Sequence, residues 1–253
     1  MTTSHFLKTL RRFFLPLFAF LILAGTAQAH NGPAADHQDG IAAKGYAVMK
    51  PGGIFEPFEF KRRPVGDDDI LIEILYSGIC HSDIHKARGE WGKVNYPIVP
   101  GHEIVGRVVK VGKNVTKFRA GDIAGVGCMI DSCGKCVFCL AGKEQYCLAG
   151  ATFTYGQPGV FGGYSTNIVV TQRFALKIPD GIPPEQAAPL LCAGVTTYSP
   201  MKALNIRKGQ KVGIAGLGGL GHMALQYAKV MGAEVTVFEI TDSKIATARK
   251  LGA

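Results

Sequence analysis

Seven cysteines stand in this 253-residue chain, and four of them crowd into residues 133–147, CGKCVFCLAGKEQYC. Cys133, Cys136, Cys139 and Cys147 follow the spacing C-x2-C-x2-C-x7-C. Three chemistries compete for such a cluster. Disulfides staple small secreted domains that lack a core, and a chain of this length has no such need. Three cysteines at this spacing also bring their sulfurs toward one point, where pairwise bridging is awkward. A bacterial iron–sulfur run wants C-x2-C-x2-C-x3-C-P, and here seven residues precede the fourth cysteine. Tetrahedral zinc accepts four thiolates from a knuckle and one returning cysteine. The spacing therefore favours a closed, structural zinc site that folds a loop poor in apolar residues.

The other cysteines read differently. Cys128, in the apolar stretch AGVGCMI, is expected as a small buried core residue. Cys80 opens CHSDIH after the alternating run DILIEILYSGI, at the end of a strand. Cys192 lies in PLLCAGVTTYSP, at the entry of an apolar helical segment. Between them, His102 of GHEIVG follows a proline–glycine turn and precedes strand-like IVGRVVKVG. Singly, each has an ordinary core explanation. Together they are three borderline or soft ligands at strand ends and helix starts, the composition of an open zinc site whose fourth position is left to water or substrate. Spacing alone leaves that choice open.

A third constellation binds rather than reacts. KVGIAGLGGLGHMALQYAKVMGAEVTVFE reads as a strand over 212–215, a turn, a helix from about His222 and a second strand over 234–239. Gly216, Gly218 and Gly221 make G-x-G-x-x-G, with Gly219 and Leu220 inside the turn, and Glu239 ends the second strand. In a βαβ context this is a dinucleotide-binding pattern. The glycines admit a pyrophosphate to the backbone, and the helix N-terminus stabilises its charge. The Glu239 carboxylate would accept from the adenosine ribose hydroxyls and repel a 2′-phosphate, which slightly favours NAD(H) over NADP(H). The competing reading is a solvated strand-end acid.

The elements that must hold these groups fit the composition. Forty-seven per cent hydrophobic residues, 33 glycines and one tryptophan suit a glycine-punctuated α/β or β-rich protein, not a disordered or fibrous one. MTTSHFLKTLRR, the apolar run FFLPLFAFLILA and the small residues Ala27 and Ala29 give residues 1–29 the order of a signal peptide. RRFFL resembles a twin-arginine export signal, which predicts a periplasmic protein carried across already folded around its cofactors and so with its thiolates protected. The alternative is an uncleaved anchor in the inner membrane. Those residues hold three of the 28 lysines and arginines and no acid, so the formal charge falls from +9 to +6 without them. The remaining basic residues are scattered, which excludes a nucleic-acid surface; contact with membrane is expected only through the signal segment. Residues 30–40, with His30 and His37, read as a linker, 41–182 as the zinc-binding catalytic domain and 183–253 as a truncated dinucleotide-binding domain.

With these motifs the chain resembles the zinc-dependent medium-chain alcohol dehydrogenases. GHEIVGRVVKVGKNV (101–115) fits that family's G-H-E-x2-G-x5-G-x2-V pattern throughout. GICHSDIH, VPGHE, the four-cysteine lobe, GGYS, PLLCAGVTTYSP and GLGGLGHM are most similar to the cinnamyl-alcohol-dehydrogenase branch and its bacterial broad-specificity aldehyde reductases. The resemblance implies an α/β protein: a β-rich GroES-like catalytic domain followed by a Rossmann-type dinucleotide-binding domain, incomplete here because the chain stops at KLGA after two cofactor-domain strands. It implies a catalytic zinc on Cys80, His102 and Cys192, with Glu103 behind the metal as an exchangeable ligand, and a structural zinc on Cys133, Cys136, Cys139 and Cys147. Asp83 would orient the site, Ser82 contact the substrate oxygen, His85 end the proton relay and Trp91 line the substrate pocket. The activity implied is interconversion of small alcohols and aldehydes by hydride transfer with a nicotinamide cofactor, in a family of homodimers. The alternative is a non-catalytic zinc- and dinucleotide-binding relic. Much of this branch carries Ser or Thr where Glu239 stands.

Overall fold

The computed structural model describes residues 40–253. The proposed signal segment and nearly all of the linker lie outside the described residues. Among the described residues no helix is long and apolar enough to cross a membrane.

Alternation of apolar and polar residues builds the first half. β1 (Ile41–Val48) and β2 (Phe55–Arg62) form an antiparallel hairpin, Ile41 opposite Arg62. β3 (Asp69–Ser77), β4 (Ile104–Val111), β5 (Ile123–Val126), β8 (Asn167–Thr171) and β9 (Ala175–Lys177) form one antiparallel sheet, ordered β8-β3-β4-β5-β9. Strand side chains alternate between faces, and Ile70, Ile72, Ile104, Val108, Val126 and Ile168 meet on one of them with no exposure. Each such side chain contributes about 1.5–3 kcal/mol by leaving water. Gly106 has a steric reason: a Cβ there would lie 2.1 Å from the Glu73 carbonyl oxygen of the neighbouring strand. β6 (Met129–Asp131) and β7 (Thr152–Phe153) pair as a short ribbon at the base of the cysteine lobe, whose helical content is the one-turn α2 (Val137–Leu140) and a 3₁₀ turn at Glu144–Tyr146.

The period then changes to that of helices. α1 (His81–Arg88) had already interrupted the sheet after β3, stopped by Gly89 at φ +72°. α3 (Pro184–Ala187) and a tight turn over 188–191 pack Ala187, Ala188 and Leu191 against Val105 of β4, and α4 (Ala193–Ala203) follows. β10 (Lys211–Ala215) and β11 (Glu234–Phe238) run parallel, joined by α5 (Gly219–Val230). Leu225 and Ala228 of α5 pack with Ile214, Leu217 and Val235 in a second core. α6 (Ile245–Lys250) closes the described chain.

Three element ends differ from the sequence expectation: β3 stops at Ser77, so Cys80 caps α1 rather than ending a strand, and β11 stops at Phe238, one residue before Glu239. α5 starts at Gly219, three residues before His222, because Gly218 caps it in an extended conformation and its carbonyl already accepts the His222 N–H. The GroES-like sheet and the two-stranded parallel βαβ unit are otherwise those the motifs imply.

Candidate functional site

Three turns deliver one cluster. The β3–α1 junction places Cys80 at the start of α1, the turn before β4 places His102 and Glu103, and the turn before α4 places Cys192. Their donor atoms lie within 4.8 Å of one another. The sulfurs of Cys80 and Cys192 are 3.8 Å apart, and His102 Nε2 is 3.3 Å from the Cys192 sulfur. Two glycines let the last segment come so near. A Cβ on Gly125 would lie 2.9 Å from the Leu191 side chain, and one on Gly127 2.9 Å from the Leu191 carbonyl oxygen. Gly78 does the same for Glu103, since a Cβ at 78 would sit 2.0 Å from its Oε2.

Asp83 holds the cluster from beneath, with 2 % of its surface exposed. Its Oδ2 accepts from the Cys80 N–H at 2.9 Å and the Tyr164 hydroxyl at 3.0 Å. Its Oδ1 accepts from the Gly101 N–H at 3.1 Å and faces His102 Nδ1 at 3.0 Å. Burial works against the Asp83 charge, but hydrogen bonds from His102, Tyr155 and Cys80 hold its carboxyl below the usual range. Burial likewise opposes charge on His102, yet the bonds to Asp83 and Cys192 prevail and push it up to about 11. A ring fixed through Nδ1 presents Nε2 to the cluster, the arrangement metal-ligating histidines use. Arg62, a buried guanidinium, ties down the chain on either side of Tyr164, donating to the carbonyls of Phe161, Gly162 (3.0 Å) and Asn167 (3.1 Å). Burial lowers the Arg62 pKa to about 9.

The lobe brings its four cysteine sulfurs within the same 4.8 Å limit. Cys139 lies 3.5 Å from Cys136 and 3.8 Å from Cys133, sulfur to sulfur. The backbone N–H groups of Cys139 and Leu148 draw the Cys136 thiol down to about 6. Zinc–sulfur bonds of ~2.3 Å at tetrahedral angles separate neighbouring sulfurs by about 3.8 Å. Both clusters therefore fit a tetrahedral dication. Four thiols leave a closed shell in the lobe, whereas the cluster around His102 opens into a cavity of about 440 Å³ lined by Ser82, Trp91, Phe153 and Tyr155.

Ser82 lies beside the open cluster, its Oγ 3.6 Å from the Cys80 sulfur. His85 stacks on Trp91 with ring centroids 4.6 Å apart, and its Nδ1 is bonded to Glu90. Cys128 corrects the core expectation: β5 ends at Val126, so Cys128 is exposed and lines the cavity beside Cys192. Sequence reasoning also missed Glu90 and Tyr164. The GGYS motif pointed at Tyr164 without giving its partner, and nothing local marks Glu90.

In the second half, Gly216 turns at φ +81°, and a Cβ on Gly221 would meet the Gly216 carbonyl oxygen at 2.1 Å, so helix and turn touch. Gly218, Gly219 and Leu220 line the open side of this turn, with no atom within 4 Å of a Cβ placed on either glycine. Glu239 is not simply a solvated acid. Its Oε2 accepts from the Leu217 N–H of the glycine turn at 2.7 Å, and its Oε1 from the N–H groups of Ile240 and Thr241, each at 3.0 Å. The Leu217 bond above all lowers its pKa to about 2.

Comparison with known proteins agrees with this geometry. Residues 66–180 match the family described as the alcohol dehydrogenase GroES-like domain, and residues 219–253 match that described as zinc-binding dehydrogenase. A probable formaldehyde dehydrogenase of Bacillus subtilis is 50 % identical over 223 residues, 86 % of this chain and 62 % of the relative. Cinnamyl alcohol dehydrogenase 1 of Ocimum basilicum is 49 % identical over 210 residues, 81 % of this chain and 58 % of the relative. A cinnamyl alcohol dehydrogenase structure from Helicobacter pylori, complexed with NADP(H), superimposes with a TM-score of 0.82 at 47 % identity, over 85 % of this chain and 63 % of that one. The chain spans about three fifths of the length of the curated relatives it matches.

Proposed function

The chain belongs to the zinc-type medium-chain alcohol dehydrogenases, and from that premise we propose that it interconverts primary alcohols and aldehydes by hydride transfer with a nicotinamide dinucleotide. One observation carries the reading: donors from three separate turns converge at the end of a cavity, with a hydroxyl, Ser82, on its wall. Cys80, His102 and Cys192, with Glu103 exchangeable, would hold one zinc ion, and the four lobe cysteines a second. Zinc at the open cluster supplies a Lewis acid for the substrate oxygen.

The chain's own residues do the rest. Asp83 fixes the His102 ring and the Cys80 turn. Ser82 would accept the alcohol proton and pass it on toward His85, whose Nδ1 is held by Glu90. Phe153, Tyr155 and Trp91 exclude water from the carbon that exchanges hydride. Gly216, Gly218, Gly219, Leu220 and Gly221 admit the pyrophosphate. Glu239 would face the adenosine ribose, where its charge would oppose a 2′-phosphate and slightly favour NAD(H) over NADP(H).

The test is metal analysis with turnover. The purified chain is expected to hold two zinc ions and to oxidise benzyl or cinnamyl alcohol with NAD⁺, and His102→Ala to lose one ion with about a 1000-fold fall in rate. Fewer than two ions per chain, or a fully active His102→Ala, rejects the reading. The compartment proposed is the periplasm, reached folded through a twin-arginine-type route. A mature N-terminal mass that still includes residues 1–29 would instead point to the membrane anchor.

A further inference from the structure

Among the described residues lining the cavity, Lys86 is the single lysine or arginine, and none is Asp or Glu. Helix α1 puts it there. Residues four apart share a helix face with Cβ atoms about 5–6 Å apart, so Lys86 follows Ser82 along one wall. Of the acids nearby, Asp83 is buried against His102, Glu90 takes His85 and Arg88, and Glu103 belongs to the open cluster. The Lys86 ammonium has no ion pair or hydrogen bond among the described residues; its backbone carbonyl accepts from the Tyr96 hydroxyl at 3.0 Å and from the Gly89 N–H at 3.1 Å. The side chain is half-buried, the state in which a lysine lays its stem on an apolar wall and keeps its charge at the tip. Trp91, Phe153 and Tyr155 line the same cavity with flat apolar faces.

A substrate oxygen beside Ser82 therefore has its far end among aromatic rings and next to an uncommitted cation. Resting on the reading of this cavity as an alcohol–aldehyde site, we infer that its preferred substrates carry a carboxylate at the end remote from the reacting carbon, across a planar aromatic spacer. The charge-assisted contact supplies selectivity, while the rings hold the spacer.

Trp91, the only tryptophan of the chain, sits in the wall and reports on occupancy by its fluorescence. The zinc-loaded full chain is titrated with 4-(hydroxymethyl)benzoate and with its neutral isostere 4-(hydroxymethyl)benzamide. The carboxylate should bind about tenfold tighter at low salt, and the ratio should shrink toward one near about 0.5 M salt, where screening shortens the reach of charge. Lys86→Met should lose the preference and Lys86→Arg keep it. Equal binding of both compounds by the wild-type chain, or a preference that survives in Lys86→Met, overturns the inference and leaves the alcohol site standing. Binding of neither compound removes the alcohol site and this inference with it.

Discussion

The four-cysteine lobe and the cluster around His102 each offer four donor residues, and they are built in opposite ways. The lobe takes all four from residues 133–147, on one helical turn and loops, with almost no sheet beneath them. The other takes its donors from turns as far apart as residues 80 and 192, mixes sulfur, nitrogen and oxygen, and rests on a buried carboxylate and a close-packed sheet. In the lobe the metal would be the core. In the cluster the core comes first, and a metal would only be received. The difference predicts where loss of an ion is felt: as unfolding in one place, as lost chemistry in the other.

Three experiments break or sharpen that contrast. The largest effect belongs to Cys136→Ser. It should remove one zinc per chain and cost several kcal/mol, since a structural site supplies on the order of 10 kcal/mol of binding to its fold. Metal analysis with urea unfolding measures both, and an unchanged midpoint would erase the distinction between the two clusters. Asp83→Asn comes next. It puts an amide NH₂ where donors converge, and should weaken zinc at the open cluster about 10–100-fold while the lobe keeps its ion. Competition with a chelator reads the two affinities separately, and equal loss from both sites would contradict it.

The smallest effect concerns Glu239, a carboxylate tethered like Asp83 but remote from either cluster. Its pKa in the fold is about 2, below the ~4.3 of an unfolded glutamate. A group with a depressed folded value stabilises fully above the unfolded one and loses its contribution as pH falls toward the folded one. Between about pH 5 and 2 the wild-type denaturation midpoint should therefore fall further than that of Glu239→Gln. Parallel curves would show that the Leu217 contact does not persist in solution.

The same contrast explains what could be read from the chain. Cys133, Cys136, Cys139 and Cys147 were legible because their chemistry is local and spacing encodes it. The glycine turn was legible for the same reason; Glu239 was singled out beside it, but its bond to the Leu217 N–H was not foreseen. Cys80, His102 and Cys192 emerged as candidates one by one, but their meeting depends on Gly125 and Gly127 admitting Leu191, a contact between strands and helices far apart in sequence. Cys128 was misplaced because an apolar stretch does not say where its strand ends. Glu90, Tyr164 and Lys86 lay hidden because a side chain's partner depends on which faces the fold brings together.

Asp83 ties together residues 80, 101, 102 and 164 with one side chain. Those bonds cannot all form until three separate loops have closed on the sheet, and closing long loops is slow relative to local helix and hairpin formation. The open cluster is thus completed near the end of folding, whereas the lobe needs only its own short segment to close. A nascent chain would therefore gather the lobe's four sulfurs before it gathers Cys80, His102 and Cys192.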